Sequence, residues 1–261
     1  MIRQFNRPVA ALIMFTKLPL WKVFPNIPGD AYRYAVTWWP FCGWLTGCIY
    51  GMVYLLCTIV LPTLPSAIIA LGARLMLTGA YHEDGLADFF DGFGGGIDKE
   101  RILSIMKDSH IGTYGVIALV MFITLQIALV SSVVPMTGAI MIICADPWSK
   151  FCAGRMVSFL PYARRSNISK NQVSYPKPDI KDTCIALTCG ILPMIIICFI
   201  GSSSCMSLLS GSLTSAAVSA LLFHLMKKKI GGYTGDCCGA VYIVSESAFC
   251  LSFIFTYFLS I

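Results

Sequence analysis

The chain of 261 residues is 57% hydrophobic and only 12% charged, with a mean hydropathy of +0.76, which excludes a soluble globular domain and points to a polytopic membrane protein. Its 19 Lys and Arg against 13 Asp and Glu leave a net charge of +6, an excess that serves membrane orientation and anionic lipid first and an anionic substrate second, and argues against nucleic acid as a partner. The 12 cysteines form no CxxC pair and no metal-ligand spacing, so they read as small buried apolar residues rather than a disulfide framework.

Residues 1–33 begin with basic side chains and a short apolar patch at 9–15, but Lys17 follows it and no small-residue cleavage site is present, which argues against a signal peptide. With Pro19, Trp21, Phe24, Pro25 and Pro28, the segment reads as interfacial, Trp and Lys anchoring it at headgroup depth. Apolar stretches able to cross a core of ~30 Å as helix then cover residues 34–60, 64–80, 114–134, 136–153, 184–201, 205–226 and 240–261. Gly43, Gly47 and Gly51 loosen the first, and Asp146-Pro147 interrupts the fourth. Arg74 lies inside the second span, a placement costing ~2.5–3.5 kcal/mol unless it pairs or snorkels. Structural pairing and contact with a substrate phosphate are equal readings for it.

Between the second and third spans lies the stretch 81–96, YHEDGLADFFDGFGGG, with four of the 13 acidic residues. As a helix it places Asp84, Asp88 and Asp91 within roughly 60° of one another on a single face. Carboxylates about 5–6 Å apart repel, so protons or a cation must neutralise them, and an all-oxygen cluster suits Mg²⁺ rather than Zn²⁺. These three are the candidate catalytic and metal-binding residues, with Asp108 as a further ligand. The alternative is a solvated helix face. His82 falls on the opposite side and reads as a packing residue. Gly85 and Gly92 sit among the aspartates as candidate substrate contacts, the run from Gly92 to Gly96 reads as a loop whose N–H groups approach a phosphate, and Asp98 caps the helix that follows. In DKERILSIMKDSHIGTYG, an apolar stripe at Ile102, Leu103, Ile105 and Met106 suits a surface-lying helix, leaving Arg101, Lys107, Asp108, Ser109 and Gly112 for a polar site.

Residues 150–182, with Arg164, Arg165 and Tyr175-Pro176-Lys177-Pro178, have no periodic apolar face and read as a basic loop, Ser149 and Lys150 at its start being the better site candidates. Before the final span, Thr234, Gly235 and Asp236 form a second glycine-rich turn, and Asp236 and Asp108 are expected to share the pocket of the acidic helix. Glu246, two turns further, is an intramembrane carboxylate, functional or paired by default. Lys and Arg cluster in alternate connections while the others, near residues 61–63, 135 and 202–204, carry no charge, so the N-terminus and the site face the cytoplasm. The expected fold is all-α: a single membrane-embedded catalytic domain over residues 1–261, a polytopic bundle of about seven transmembrane helices behind the interfacial segment 1–33. Residues 81–113 are its acidic, glycine-rich site segment and 154–183 its cytoplasmic basic loop.

At HEDGLADFFDG, IMKDSHIGTYG and GGYTGDCCGA, in that order, the chain resembles the cobalamin synthase family, the adenosylcobinamide-GDP ribazoletransferases. The likeness runs from FTKLP at residues 15–19, through PFCGWLTG at 40–47, to the last span. It departs from the family pattern at Ser149-Lys150, where Ser-Arg is expected and a bidentate fork is lost, and at Cys237-Cys238. The resemblance implies a Mg²⁺-dependent enzyme of the bacterial inner membrane in which α-ribazole, or its 5′-phosphate, attacks the diphosphate of adenosylcobinamide-GDP and GMP is released. It further implies that Asp84, Asp88 and Asp91 hold metal ions and that one aspartate accepts the hydroxyl proton, with membrane lipid around the bundle and a homo-oligomer allowed. A CDP-alcohol phosphotransferase is the second reading, although its DGxxAR signature needs Arg where Asp88 stands. A divalent-cation transporter is the third, yet its acids belong at mid-membrane, often in repeated halves.

Overall fold

The computed structural model describes residues 2–164, 175–200 and 204–260. Arg165 of the basic loop, with residues 166–174, and residues 201–203 of one uncharged connection lie outside that description. Among the described residues the regular structure is helical, apart from one isolated bridge between Tyr162 and Tyr233. In chain order the helices are α1 (Ile2–Phe15), α2 (Leu20–Val23), a 3₁₀ turn (Gly29–Tyr34), α3 (Trp39–Thr58), α4 (Thr63–Thr78), α5 (Tyr81–Gly95), α6 (Lys99–Ile105), α7 (Thr113–Ser131), α8 (Pro135–Gly154), α9 (Met156–Phe159), α10 (Ile180–Phe199), α11 (Cys205–Ile230) and α12 (Gly235–Leu259).

The protein is an all-α, polytopic membrane bundle. Five helices, α3, α7, α10, α11 and α12, are long and apolar enough to cross a membrane, and six if α4 and α5 count as one broken span. Seven apolar stretches were expected. α8 falls outside the set because Asp146 and Lys150 lie within it, and α4 because it has only 16 residues. Burial identifies the axis of the bundle: 67% of the most apolar window of α12 is enclosed, against 22–39% for the other four.

Glycines set how closely the helices approach. Gly43, Gly47 and Gly51 fall on one face of α3, and a Cβ on Gly43 would come within 2.6 Å of the Pro147 Cα. The residues expected to loosen this span therefore seat it against α8, where small side chains let backbones meet. At the foot of α4 the chain turns through two left-handed residues, Gly79 (φ 69°) and Ala80 (φ 54°), and α5 leaves at 91° to α4. The amphipathic α1 packs Ala10, Ala11 and Phe15 inward, and the chain after it is pinned by the Lys17 N–H donating to the Leu77 carbonyl at 2.7 Å.

Candidate active site

The face of α5 follows its helical period. His82, Glu83, Leu86 and Phe89 turn to the core, while Asp84 is exposed, Asp88 half-buried and Asp91 buried. His82 packs as expected, its ring 5.5 Å from Trp39 and 4.9 Å from Tyr242. α12 crosses α5 where Gly239 and Gly85 remove side chains. A Cβ on Gly239 would lie 2.7 Å from the His82 carbonyl oxygen, and one on Gly85 2.8 Å from that of Asp236. Gly85 thus makes a helix crossing, and that crossing brings Asp236 beside the acidic face. Burial, then the neighbouring charges of Asp236, Asp84 and Asp91, push the Asp88 carboxyl up to about 7, with Arg164 opposing. Like charges crowded in this way are relieved by a proton or by a cation.

Arg164 was not singled out in the sequence, where it belonged to the basic loop. The Ala163 N–H donates to the Tyr233 carbonyl at 2.8 Å and the Tyr233 N–H to the Pro161 carbonyl at 3.0 Å. This short pairing lays residues 161–164 along the turn that opens α12. Arg164 Nη2 then reaches Asp236 Oδ2 and the Met106 carbonyl, both at 3.4 Å, while the Thr234 hydroxyl donates to Asp236 Oδ2 at 3.2 Å. Thr234 is buried and occupies the cap of α12, whereas Gly235 is exposed with open space above it. The signal for Arg164 is non-local, since a two-residue pairing across 70 positions leaves no periodicity to read.

Asp91 is placed on the expected face but is already engaged. Its Oδ2 accepts from the Gly112 N–H at 2.6 Å and its Oδ1 from the Gly115 N–H at 2.8 Å. It therefore caps the start of α7 from outside that helix, satisfying N–H groups the helix leaves unpaired. Gly112 contributes a backbone donor to that cap, and side chains at Gly112 or Gly115 would land on the carboxylate. The expected glycine loop is the end of a helix: α5 continues to Gly95, with Gly92 against Met106 and Ile102 and Gly94 against the Tyr114 ring. Asp98 caps α6 as expected, accepting from the Arg101 N–H at 2.8 Å.

The remaining candidates differ in burial and partners. Arg101, Lys107, Asp108 and Ser109 are exposed. Asp108 pairs with His110 Nδ1 at 2.7 Å. Lys150 is 1% exposed, ion-paired with Asp146 on the preceding turn and hydrogen-bonded to the Thr46 hydroxyl at 2.6 Å. Such a lysine, matched within its own helix, is not presented to a phosphate. Ser149 is likewise buried, against Ser215. Arg74 meets Glu246 Oε1 at 2.6 Å and the Tyr242 hydroxyl at 3.2 Å, so of its two readings the structure takes pairing and gives Glu246 its partner. Among the described residues, no three His, Cys, Asp or Glu side chains stand ready as a metal cage. The candidate site is a patch of Asp84, Asp88 and Asp236 beside Arg164.

Residues 7–254 match the family model described as cobalamin-5-phosphate synthase. Among curated relatives, the chain is 32% identical over 250 residues to the adenosylcobinamide-GDP ribazoletransferase of Shewanella frigidimarina, covering 94% of this chain and 92% of the relative. It is 31% identical to the protein of the same name from Shewanella oneidensis over 239 residues, 90% and 88% of the two chains. A third relative of that name, from Vibrio parahaemolyticus, is 31% identical over 245 residues, 90% and 87% of the two. No solved structure matches.

Proposed function

The chain belongs to the cobalamin-5-phosphate synthase family, and from that membership we propose that it is an adenosylcobinamide-GDP ribazoletransferase whose reaction takes place over Asp84, Asp88 and Asp236. The observation that supports this location is the convergence of three carboxylates from two helices with one guanidinium, Arg164, at the same end of the bundle. A hydroxyl of α-ribazole, or of its 5′-phosphate, attacks the phosphorus that remains with the corrinoid. The bond from that phosphorus to the oxygen carried off by GMP breaks, and the hydroxyl proton passes to a carboxylate. One of these aspartates takes it, directly or through a water. Arg164 faces Asp236 at 3.4 Å, long for a charge-assisted bond, and has donors to turn toward a diphosphate.

The donor set fits Mg²⁺, since that ion keeps several waters and needs one or two carboxylates plus substrate phosphate oxygens rather than an all-protein cage. One or two of Asp84, Asp88 and Asp236 would hold it, and when bound it would offset charge on the diphosphate and the departing GMP. The surrounding membrane is the bacterial inner membrane and the site faces the cytoplasm, a reading supported by Lys and Arg at the ends of α6 and α11 on that same side. Purified protein given adenosylcobinamide-GDP, α-ribazole and Mg²⁺ releases GMP and forms adenosylcobalamin on this reading. No GMP release with either acceptor, α-ribazole or its 5′-phosphate, overturns it.

A further inference from the structure

A second pocket lies away from the aspartates, between the C-terminal ends of α8 and α11. It encloses 470 Å³, and its walls include Phe151, Phe159 and Phe223, with Arg155 and Lys227 as its cations. Arg155 is fixed from two sides: Nη1 donates to the Thr183 hydroxyl at 3.1 Å, and the guanidinium lies 5.1 Å from the Phe151 ring centroid. Its remaining donors, Nε and Nη2, are buried and have no hydrogen-bond partner among the described residues. Those two N–H groups form one edge of the guanidinium, the edge that accepts two oxygens of a phosphate side by side. The nearby carboxylate of Asp182 is engaged by Arg7 at 3.7 Å. A buried, oriented and unpaired fork is costly without an acceptor.

We propose that this pocket binds the phosphate of an anionic phospholipid from the leaflet that the basic ends of the helices face. The walls are aromatic and apolar, and Phe159 is 70% exposed at the rim, so the pocket opens onto the surface a lipid occupies rather than onto the aspartates. Lys227, Lys228 and Lys229 close α11 beside it and add the positive field that draws anionic headgroups. A headgroup and its first carbons fill the volume, with the acyl chains continuing along the apolar flanks of α8 and α11.

The test is lipid retention by the full-length protein purified from nanodiscs of phosphatidylglycerol or of phosphatidylcholine, read by native mass spectrometry. Wild type should retain phosphatidylglycerol and not phosphatidylcholine, Arg155→Gln should retain about tenfold less, and Arg155→Lys should not restore it, because a point charge lacks the fork. Ala220→Trp, which fills the groove and leaves Arg155 intact, should also expel the lipid, and it carries the test should Arg155→Gln fold poorly. Retention equal to wild type in both Arg155→Gln and Ala220→Trp overturns the proposal. So does equal retention of phosphatidylcholine, or displacement of the lipid by free glycerol phosphate or GMP, which would make Arg155 a site for a soluble phosphate.

Discussion

Asp84, Asp88 and Asp91 share a face of one helix yet do different work. Asp88 and Asp84 lie open to a ligand with Asp236 opposite, so Asp84→Asn, Asp88→Asn and Asp236→Asn should each lower GMP release at saturating Mg²⁺ by about 10²-fold or more, with normal abundance in the membrane. Three active mutants would make this a solvated surface. Asp91→Asn should act on stability, because the amide sets its own N–H₂ against an N–H that the carboxylate accepted. The expected loss is about 1–3 kcal/mol, seen as a lower Tm of the purified protein, and an unchanged Tm would return Asp91 to the ligand set. Helical periodicity placed all three carboxylates on the right face, but it carries no information on which oxygens the backbone already occupies. Gly112 and Gly115, three apart at the start of a span, were the readable hint. Asp146 and Lys150 were a second, since a spacing of four on a helix predicts their pairing.

At the level of helices, hydropathy made the bundle legible because membrane spans announce themselves by length and apolar content alone. The break between α4 and α5 was not legible, since nothing in Thr78-Gly79-Ala80-Tyr81 requires a non-glycine residue to turn left-handed. Ala80 does so at φ 54°, a conformation costing an L-residue roughly 1–2 kcal/mol. Ala80→Gly should therefore raise stability by about 1 kcal/mol while leaving GMP release intact, measured as the midpoint of thermal unfolding. A destabilised Ala80→Gly would show that the Ala80 methyl group contributes more in packing than its backbone costs. The crossing of α5 and α12 was likewise hidden, because Gly85 and Gly239 acquire meaning only once the two helices are known to touch.

Across the whole molecule, the basic connections predict one orientation, with α5, α6 and the start of α10 on the same side. A cysteine-reactive probe that does not cross membranes should label single cysteines at Gly95 and Lys177 only from the cytoplasmic side, in a chain whose own reactive thiols are replaced. Labelling of either from outside would move the site with it. Arg164 shows why a site of this kind outruns local reading. It belongs to the pocket only because a loop from the middle of the chain is paired to the turn before α12, and that pairing is a property of the assembled bundle.

The two buried ion pairs among the described residues also differ in when they can form during synthesis. Asp146 and Lys150 are one turn apart, so α8 leaves the ribosome with its charges matched. Arg74 waits for Glu246, which is made 172 residues later. Until α12 arrives, α4 carries a lone guanidinium that the translocon must hold, shelter or return to the interface, and the newborn chain stays recognisable as unfinished. α12 is thus a completion mark that membrane quality control can sense. Pulse-chase of chains cut after Ile230, and of full-length Glu246→Gln, should show half-lives well below that of wild type, with Glu246→Gln rescued in part by Arg74→Met, which removes the charge left unmatched. A truncated chain as long-lived as the intact one would mean that Arg74 finds its counter-charge elsewhere.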